Sequence, residues 1–273
     1  MPMLGDTEIS SRYQRNAAYW TKIVRDGLDT FQTDLTDPAL LDLIGHCTGL
    51  NVLDAGCGEG YLSRELIKRG CGQVYGVDTC EELVTAARNH PDSGGARATF
   101  YHADVAQIPL PDASVDLVVV NRLPNGIADP SRRFTEFRRV LNEQGKMIVM
   151  SMHPCFYAAR TDREDIESNT SIDDYFGIRT VEQHFQVAGR KSPVESFQQF
   201  FSLEEYLGMI TSAGFAITTL REPRPTAQQR ASDDFWNQNF TRPLFMLIEC
   251  VPLNAVFRGQ TTTGARPSPT VTS

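Results

Sequence analysis

The sequence predicts an α/β fold, a mostly parallel sheet covered by helices on both faces. Two observations predict it. Between residues 51 and 152, runs such as QVYGVD, VDLVVVN and KMIVMSM are apolar almost throughout and alternate with helical segments. Strands that show no in-and-out alternation of polarity need cover on both sides. In addition, the first run, VLDAG, passes into a glycine-rich turn, AGCGEG at 55–60, of the kind that joins a strand to a helix where a ligand approaches the backbone.

The elements follow in order. From position 9 to 26, Tyr13, Ala17, Trp20 and Val24 recur at spacings of four, three and four, which predicts one amphipathic helix. Asp37 and Pro38 read as an N-cap and a first-turn proline opening a second helix, which Gly49 ends. The chain then alternates: a strand over NVLDAG, a helix to Lys68, a strand over QVYGVD, a helix from Glu81 to Asn89, then strands over ATFYHAD and VDLVVVN. A helix around Arg132 to Leu141 leads into the strand KMIVMSM. After His153 the alternation stops for about 45 residues of polar and aromatic text. A connection that long without structure is uncommon in a compact domain, so this segment reads as a cap with a strand pair of its own. Ser202 and Glu205 form a capping box opening the helix LEEYLGMITSA, Gly214 stops it, and FAITTL and PLFMLIECV make the closing strands.

The chain of 273 residues has the length for one sizeable core with an elaboration on it. The reading divides it into N-terminal helices at 1–45, a main domain at 46–258 with the cap inserted at about 155–201, and a disordered tail at 259–273 rich in Thr, Pro and Gly. A net charge of −8 with no basic run argues against nucleic acid or an anionic membrane as partner and favours a small molecule. The six cysteines include no C-x-x-C pair and read as reduced thiols in a cytoplasmic protein; the five histidines lack metal-ligand spacing, so no metal is expected. The start MPMLGDTEIS has no signal-peptide pattern, and no apolar run reaches the roughly 18 residues of a membrane span.

The glycines favour one ligand over another. The dinucleotide fingerprint is G-x-G-x-x-G, whereas here Gly56, Gly58 and Gly60 alternate and Tyr61 stands where a glycine is required. Asp54 precedes the loop, Asp78 ends the second strand and Asp104 ends the third, so carboxylates gather at one edge of the sheet. Such an edge repels a pyrophosphate and attracts a ligand carrying positive charge. From a strand end, Asp78 is placed to accept hydrogen bonds from both hydroxyls of a ribose, and Asp104 with the backbone of Val105 to meet the amine of an adenine. Each has a plainer reading as a cap or turn residue. Asn121 and Leu123, at the end of the fourth strand, line the ligand or only close the turn.

The motif D-x-G-x-G-x-G at Asp54 to Gly60, the acid at Asp78, HAD at 102–104 and VDLVVVN at 115–121 resemble the class I S-adenosylmethionine-dependent methyltransferases. The resemblance covers roughly residues 45 to 152. It implies a Rossmann-like seven-stranded sheet in the order 3-2-1-4-5-7-6 with the last strand antiparallel, and S-adenosylmethionine as cofactor with S-adenosylhomocysteine as its product. It places the glycine loop around the methionine part, Asp78 on the ribose and Asp104 near the adenine. The aromatic cap and Tyr-rich first helix are similar to the natural-product branch that acts on polyketide, terpenoid or prenylated indole skeletons, the teleocidin pathway among them.

His153, in SMHPCFY where Pro154 turns the chain out of the sheet, is the candidate general base; its alternative is a histidine that shapes the loop. The cap is rich in aromatics, and Phe156, Tyr157, Tyr175, Phe176 and Phe200 are candidates for the wall of an apolar acceptor pocket, together with Tyr19; half of the cap's aromatics are expected to pack as core. Tyr13 and Trp20 are candidates to cover the cofactor as a lid, with packing on the sheet edge or against a second subunit as alternatives, so homo-oligomerisation stays open. The function expected is methyl transfer to carbon or oxygen of a small, largely apolar metabolite, with cyclisation of a bound substrate as the alternative. A nicotinamide oxidoreductase is disfavoured by Tyr61 and the acidic edge. A nucleic-acid methyltransferase is disfavoured by the charge balance and by NRLPNG at 121–126, which has no N-P-P-Y pattern.

Overall fold

The computed structural model describes residues 6–123, 130–156, 175–176 and 179–254. The chain opens with helices α1 (Asp6–Arg15) and α2 (Ala17–Arg25), a π-helical turn at Gln32–Thr36 and helix α3 (Asp37–Ile44). Next come strand β1 (Val52–Ala55), α4 (Tyr61–Lys68), β2 (Val74–Asp78), α5 (Glu81–Arg88), β3 (Ala98–His102), β4 (Val115–Asn121), α6 (Ser131–Val140) and β5 (Leu141–Met152). The cap contributes β6 (Arg179–Gln183), the two-residue strands β7 (Gln186–Val187) and β8 (Arg190–Lys191), and β9 (Ser196–Phe200). Helix α7 (Leu203–Ser212), β10 (Phe215–Arg221), α8 (Ala227–Ser232), α9 (Asp234–Asn239) and β11 (Phe245–Pro252) complete the described fold.

Seven strands form one sheet in the order β3-β2-β1-β4-β5-β11-β10, which is the 3-2-1-4-5-7-6 arrangement expected once the cap strands are set aside. The pairs from β3 to β5 are parallel, and β11 runs antiparallel to both β5 and β10. Neighbouring residues on each strand serve opposite faces. Val52, Val119, Ile148 and Leu247 belong to one core with Leu62 and Leu66 of α4 and Leu40 of α3. Leu53, Val118, Val149 and Ile248 belong to the other, with Phe134 and Phe137 of α6 and Ile210 of α7. Both faces are therefore dry, which is why the strands read as continuous apolar runs; each such fully buried side chain contributes about 1.5–3 kcal/mol. The carboxyl ends of β1, β2, β3 and β4 come into register at one edge, with Ala55 beside Val77 and Val120, and Asp78 beside His102.

Two local expectations are corrected, and two short helices are added. The single helix over 9–26 is two, divided at Asn16, which is fully buried. Its amide Nδ2 donates to Val194 O at 3.0 Å and to Ser196 Oγ at 3.3 Å, and its Oδ1 accepts from Val194 N at 3.1 Å. A side chain that bonds distant backbone competes with the helix ladder, and no local pattern announces it. Thr36, not Asp37, occupies the N-cap of α3, and its side chain makes no capping bond. Helices α8 and α9 fall in a stretch to which no element was assigned; at six residues each they are too short to show a helical period, although Thr226 and Gln229 form a complete capping box. The box at Ser202 is present as expected, with Glu205 N donating to Ser202 Oγ at 3.2 Å. In the cap, β6 pairs antiparallel with β9. Among the described residues, no helix is long and apolar enough to cross a membrane, and no cluster of His, Cys, Asp or Glu has the spacing to hold a metal ion.

Candidate functional site

The loop after β1 owes its shape to its glycines. Gly56, Gly58 and Gly60 lie at φ +75°, +54° and +82°, in the left-handed region that side chains with a Cβ rarely adopt. A Cβ on Gly56 would stand 2.5 Å from Leu123 Cδ1, and one on Gly60 would stand 3.0 Å from Ala87 Cβ and 3.1 Å from the Phe100 ring. Asp78 fastens the loop from the neighbouring strand: its Oδ2 accepts from Gly58 N at 2.9 Å and its Oδ1 from Cys80 N at 2.8 Å. Burial pushes the Asp78 carboxyl up, and the Cys80 and Gly58 N–H groups oppose that shift by stabilising the anion.

Loop, strand ends and the N-terminal helices enclose a cavity of about 270 Å³. Of the residues singled out in the sequence, Tyr13, Trp20, Gly56, Gly58, Asp78, Asp104, Val105, Asn121 and Leu123 line it. Asp54 and Gly60 do not. Asp54 is 1 % exposed and takes a hydrogen bond from Ser63 Oγ at 2.6 Å, tying β1 to α4 beneath the loop. Burial raises its carboxyl to about 6, the Ser63 bond opposing. Asp104 closes its own turn, its Oδ1 accepting from Ala106 N at 2.8 Å, with Val105 buried beside it.

His153 is buried outside the cavity lining. Its Nδ1 accepts from Cys155 N at 3.1 Å, which puts the ring proton on Nε2, 3.4 Å from Glu222 Oε1. Burial lowers its pKa and Glu222 opposes. Phe156 sits in the 3₁₀ turn Pro154–Phe156, and Tyr157 lies outside the described residues. Phe200 packs in the core with Phe240 and Phe245. Tyr175 receives a hydrogen bond from Leu203 N at 3.1 Å, and Phe176 is 86 % exposed. Tyr19 donates to Arg190 O at 3.2 Å and meets Trp20 edge-on. Among the described cap aromatics, Phe185 lines the cavity, and its ring stands 4.8 Å from that of Trp20 in a T-shaped pair.

Sequence reasoning missed a polar wall. Tyr61, considered only as an absent glycine, is half-buried in the cavity lining; its hydroxyl donates to Asp37 Oδ1 at 3.0 Å and accepts from Asn121 Nδ2. Burial raises the Asp37 carboxyl to about 6, with Tyr61 and Arg122 opposing. Arg122 lies at φ +56°, pairs with Asp29 at 2.7 Å and covers the Phe245 ring at 5.5 Å. Glu59, on the loop itself, is held by Arg25 at 2.8 Å and Arg64 at 2.6 Å. The local hints were a charge inside a glycine loop, Glu59, and Arg64 five residues beyond it; Arg25 lies 34 residues before Glu59, and Arg122 and Asp29 lie 93 residues apart. These ion pairs leave Asp78 and Asp104 as lining carboxylates without an arginine in an ion pair among the described residues.

Among the described lining residues, the polar atoms buried with no hydrogen-bond partner include Trp20 Nε1, a donor, and Asn121 Oδ1 and Gln198 Oε1, both acceptors. Such atoms are costly to leave unmatched, by about 1–3 kcal/mol each, and mark where a ligand's polar groups fit.

A family model described as a methyltransferase domain matches residues 46–204. The "Probable S-adenosylmethionine-dependent methyltransferase Rv3030" of Mycobacterium tuberculosis is 40 % identical over 107 residues, 39 % of this chain and 37 % of that protein. The chain thus spans well under half the length of such curated relatives. A crystal structure of an S-adenosylmethionine-dependent methyltransferase from Mesorhizobium loti is similar with a TM-score of 0.63 and 25 % identity, covering 78 % of this chain and 96 % of that one. The [4+2]-cyclase SpnF shares the fold with a TM-score of 0.61 and 16 % identity, covering 92 % of this chain and 98 % of that one.

Proposed function

The chain belongs to the methyltransferase-domain family, and from that premise we propose that it transfers a methyl group from S-adenosylmethionine to a small, largely apolar metabolite, in a natural-product type of reaction at carbon or oxygen. One observation carries the reading: a single cavity is lined together by the loop glycines Gly56 and Gly58, by Asp78 and Asp104, and by an orphaned donor and acceptor, Trp20 Nε1 and Asn121 Oδ1. The cofactor's chemistry fits this set. Its methionine end offers an ammonium to Asn121 Oδ1 and a carboxylate to Trp20 Nε1, and its adenosine offers hydroxyls to Asp78 and an amine to Asp104. The two unpaired carboxylates suit a sulfonium and disfavour a pyrophosphate. Bare backbone at Gly56 and Gly58 lets the ligand lie against the chain.

Bound S-adenosylmethionine supplies an electrophilic methyl carbon. The residues of this chain then have to align the acceptor and exclude water, and orientation alone supplies on the order of 7–11 kcal/mol in favourable cases. Ile9, Val24, Leu83 and Phe185 give the cavity an apolar wall for that task. The Asp37–Tyr61–Asn121 chain fixes the Asn121 side chain at the end of β4, with its Oδ1 left for the ligand. His153 has both ring nitrogens turned to Cys155 and Glu222, so it shapes the exit from β5 and is not required as a base.

The test is transfer of label. Purified protein incubated with methyl-labelled S-adenosylmethionine and a small-molecule extract should yield a labelled apolar product. A cyclised, unlabelled product would overturn methyl transfer. Replacing Asp78 by Ala should weaken S-adenosylhomocysteine by about 1.5–3 kcal/mol, roughly 10- to 150-fold; unchanged affinity removes Asp78 from the cofactor's site.

A further inference from the structure

The cap strand β9 is buried along its whole length, from Ser196 to Phe200. Alternate residues of a strand share a face, which puts Ser196, Gln198 and Phe200 together. The ends of that face are accounted for. Ser196 Oγ accepts from Asn16 at the break between α1 and α2, and Phe200 packs into the core beside Phe240 and Phe245. Between them Gln198 lines the cavity, 5 % exposed, with its Oε1 unpartnered. Across the ribbon it faces Val181, which offers no side-chain donor. A glutamine in this position serves neither the contact with the N-terminal helices nor the apolar core. It belongs to a two-stranded ribbon outside the seven-stranded sheet whose edge presents Asp78 and Asp104.

We infer that Gln198 reads the acceptor substrate: its amide oxygen takes a hydrogen bond from an N–H or O–H carried on an otherwise apolar ring, and the cap thereby selects donor-bearing scaffolds such as indoles and hydroxyarenes. The inference rests on the reading of the cavity as a cofactor and acceptor site. It gives the cap a positioning function that apolar packing alone cannot supply, because apolar contact fixes shape and a single hydrogen bond fixes the ring's rotation. A pocket whose buried acceptor is left unmatched rejects an analogue lacking the donor far more strongly than it rejects a missing methyl group.

The test uses matched probes: indole against 1-methylindole, and 2-naphthol against 2-methoxynaphthalene, titrated into the full chain saturated with S-adenosylhomocysteine. The parent protein should bind each donor-bearing probe at least tenfold tighter than its methylated partner. Gln198→Met should reduce that preference to within twofold, leave S-adenosylhomocysteine affinity unchanged, and raise the melting temperature of the ligand-free protein, because it removes an unmatched buried acceptor. Gln198→Glu, which keeps the acceptor oxygen, should retain the preference. The inference is overturned if the parent shows no preference for the donor, if Gln198→Met keeps it, or if Gln198→Met melts lower, which would make the amide structural. A fall in S-adenosylhomocysteine affinity in Gln198→Met would transfer the residue to the cofactor's site. Failure of S-adenosylhomocysteine to bind the parent sinks the methyltransferase reading separately, and the donor preference is then read in the ligand-free protein.

Discussion

Replacing Gly56 by Ala perturbs the loop in two ways that can be separated. The backbone at Gly56 is left-handed, φ +75°, and an L residue there costs about 1–2 kcal/mol. The new Cβ would also stand 2.5 Å from Leu123 Cδ1, where carbons prefer about 3.5–4.0 Å. Leu123 must turn aside, at about 0.5–1.5 kcal/mol for an off-rotamer side chain, and because it lines the cavity the turn takes space from the ligand. Gly58 is the internal control: it too is left-handed, at φ +54°, but its Cβ would meet nothing within 4 Å. Gly56→Ala should therefore lose about 1.5–3.5 kcal/mol of unfolding free energy, and Gly58→Ala only the backbone part, about 1–2 kcal/mol. Urea denaturation gives both numbers. Combining Gly56→Ala with Leu123→Ala should recover the collision, a coupling of about 0.5–1.5 kcal/mol in a double-mutant cycle. Equal losses for the two glycines with zero coupling would refute the claim that Leu123 closes on the loop.

Other outcomes follow from the buried polar groups. Asp54 has a folded-state value of about 6 against an ordinary aspartate value of 3.8, so its favourable contribution is complete below about pH 4 and is lost as pH rises through 6. Between about pH 4.5 and 7 the parent should lose about 2 kcal/mol relative to Asp54→Asn, measured by chemical denaturation at both pH values; parallel pH profiles would contradict this. Asn16→Ala removes three hydrogen bonds that tie the break between α1 and α2 to Val194 and Ser196. At about 0.5–1.5 kcal/mol each, it should cost roughly 2–4 kcal/mol and speed amide exchange in β9; a loss below about 1 kcal/mol would mean the N-terminal helices and cap are held elsewhere.

Much of this molecule was legible because its signals are local. Apolar runs gave β1 to β5, the alternating glycines gave the loop, and Ser202 with Glu205 announced α7. What stayed hidden depends on partners distant in sequence. Asn16 breaks a good amphipathic pattern only because Val194 and Ser196 come to it. Asp54 reads like a member of the acidic edge, yet Ser63, one strand-to-helix turn away, draws it under the loop. Tyr61 was notable in sequence as a missing glycine, and its hydroxyl is the joint between Asp37 and Asn121. Among the aromatics, composition could not separate Phe185, which lines the cavity, from Phe200, which is core, or from Phe176, which faces solvent.

The central claim is that the loop from Gly56 to Gly60 and the carboxylates beside it receive a positively charged adenosine cofactor without a phosphate. Isothermal titration tests it most directly. The account predicts saturable one-site binding of S-adenosylhomocysteine, weakened in Gly56→Ala, and no heat with NADH. Binding of NADH to the same protein, or S-adenosylhomocysteine binding that Gly56→Ala leaves untouched, would contradict it.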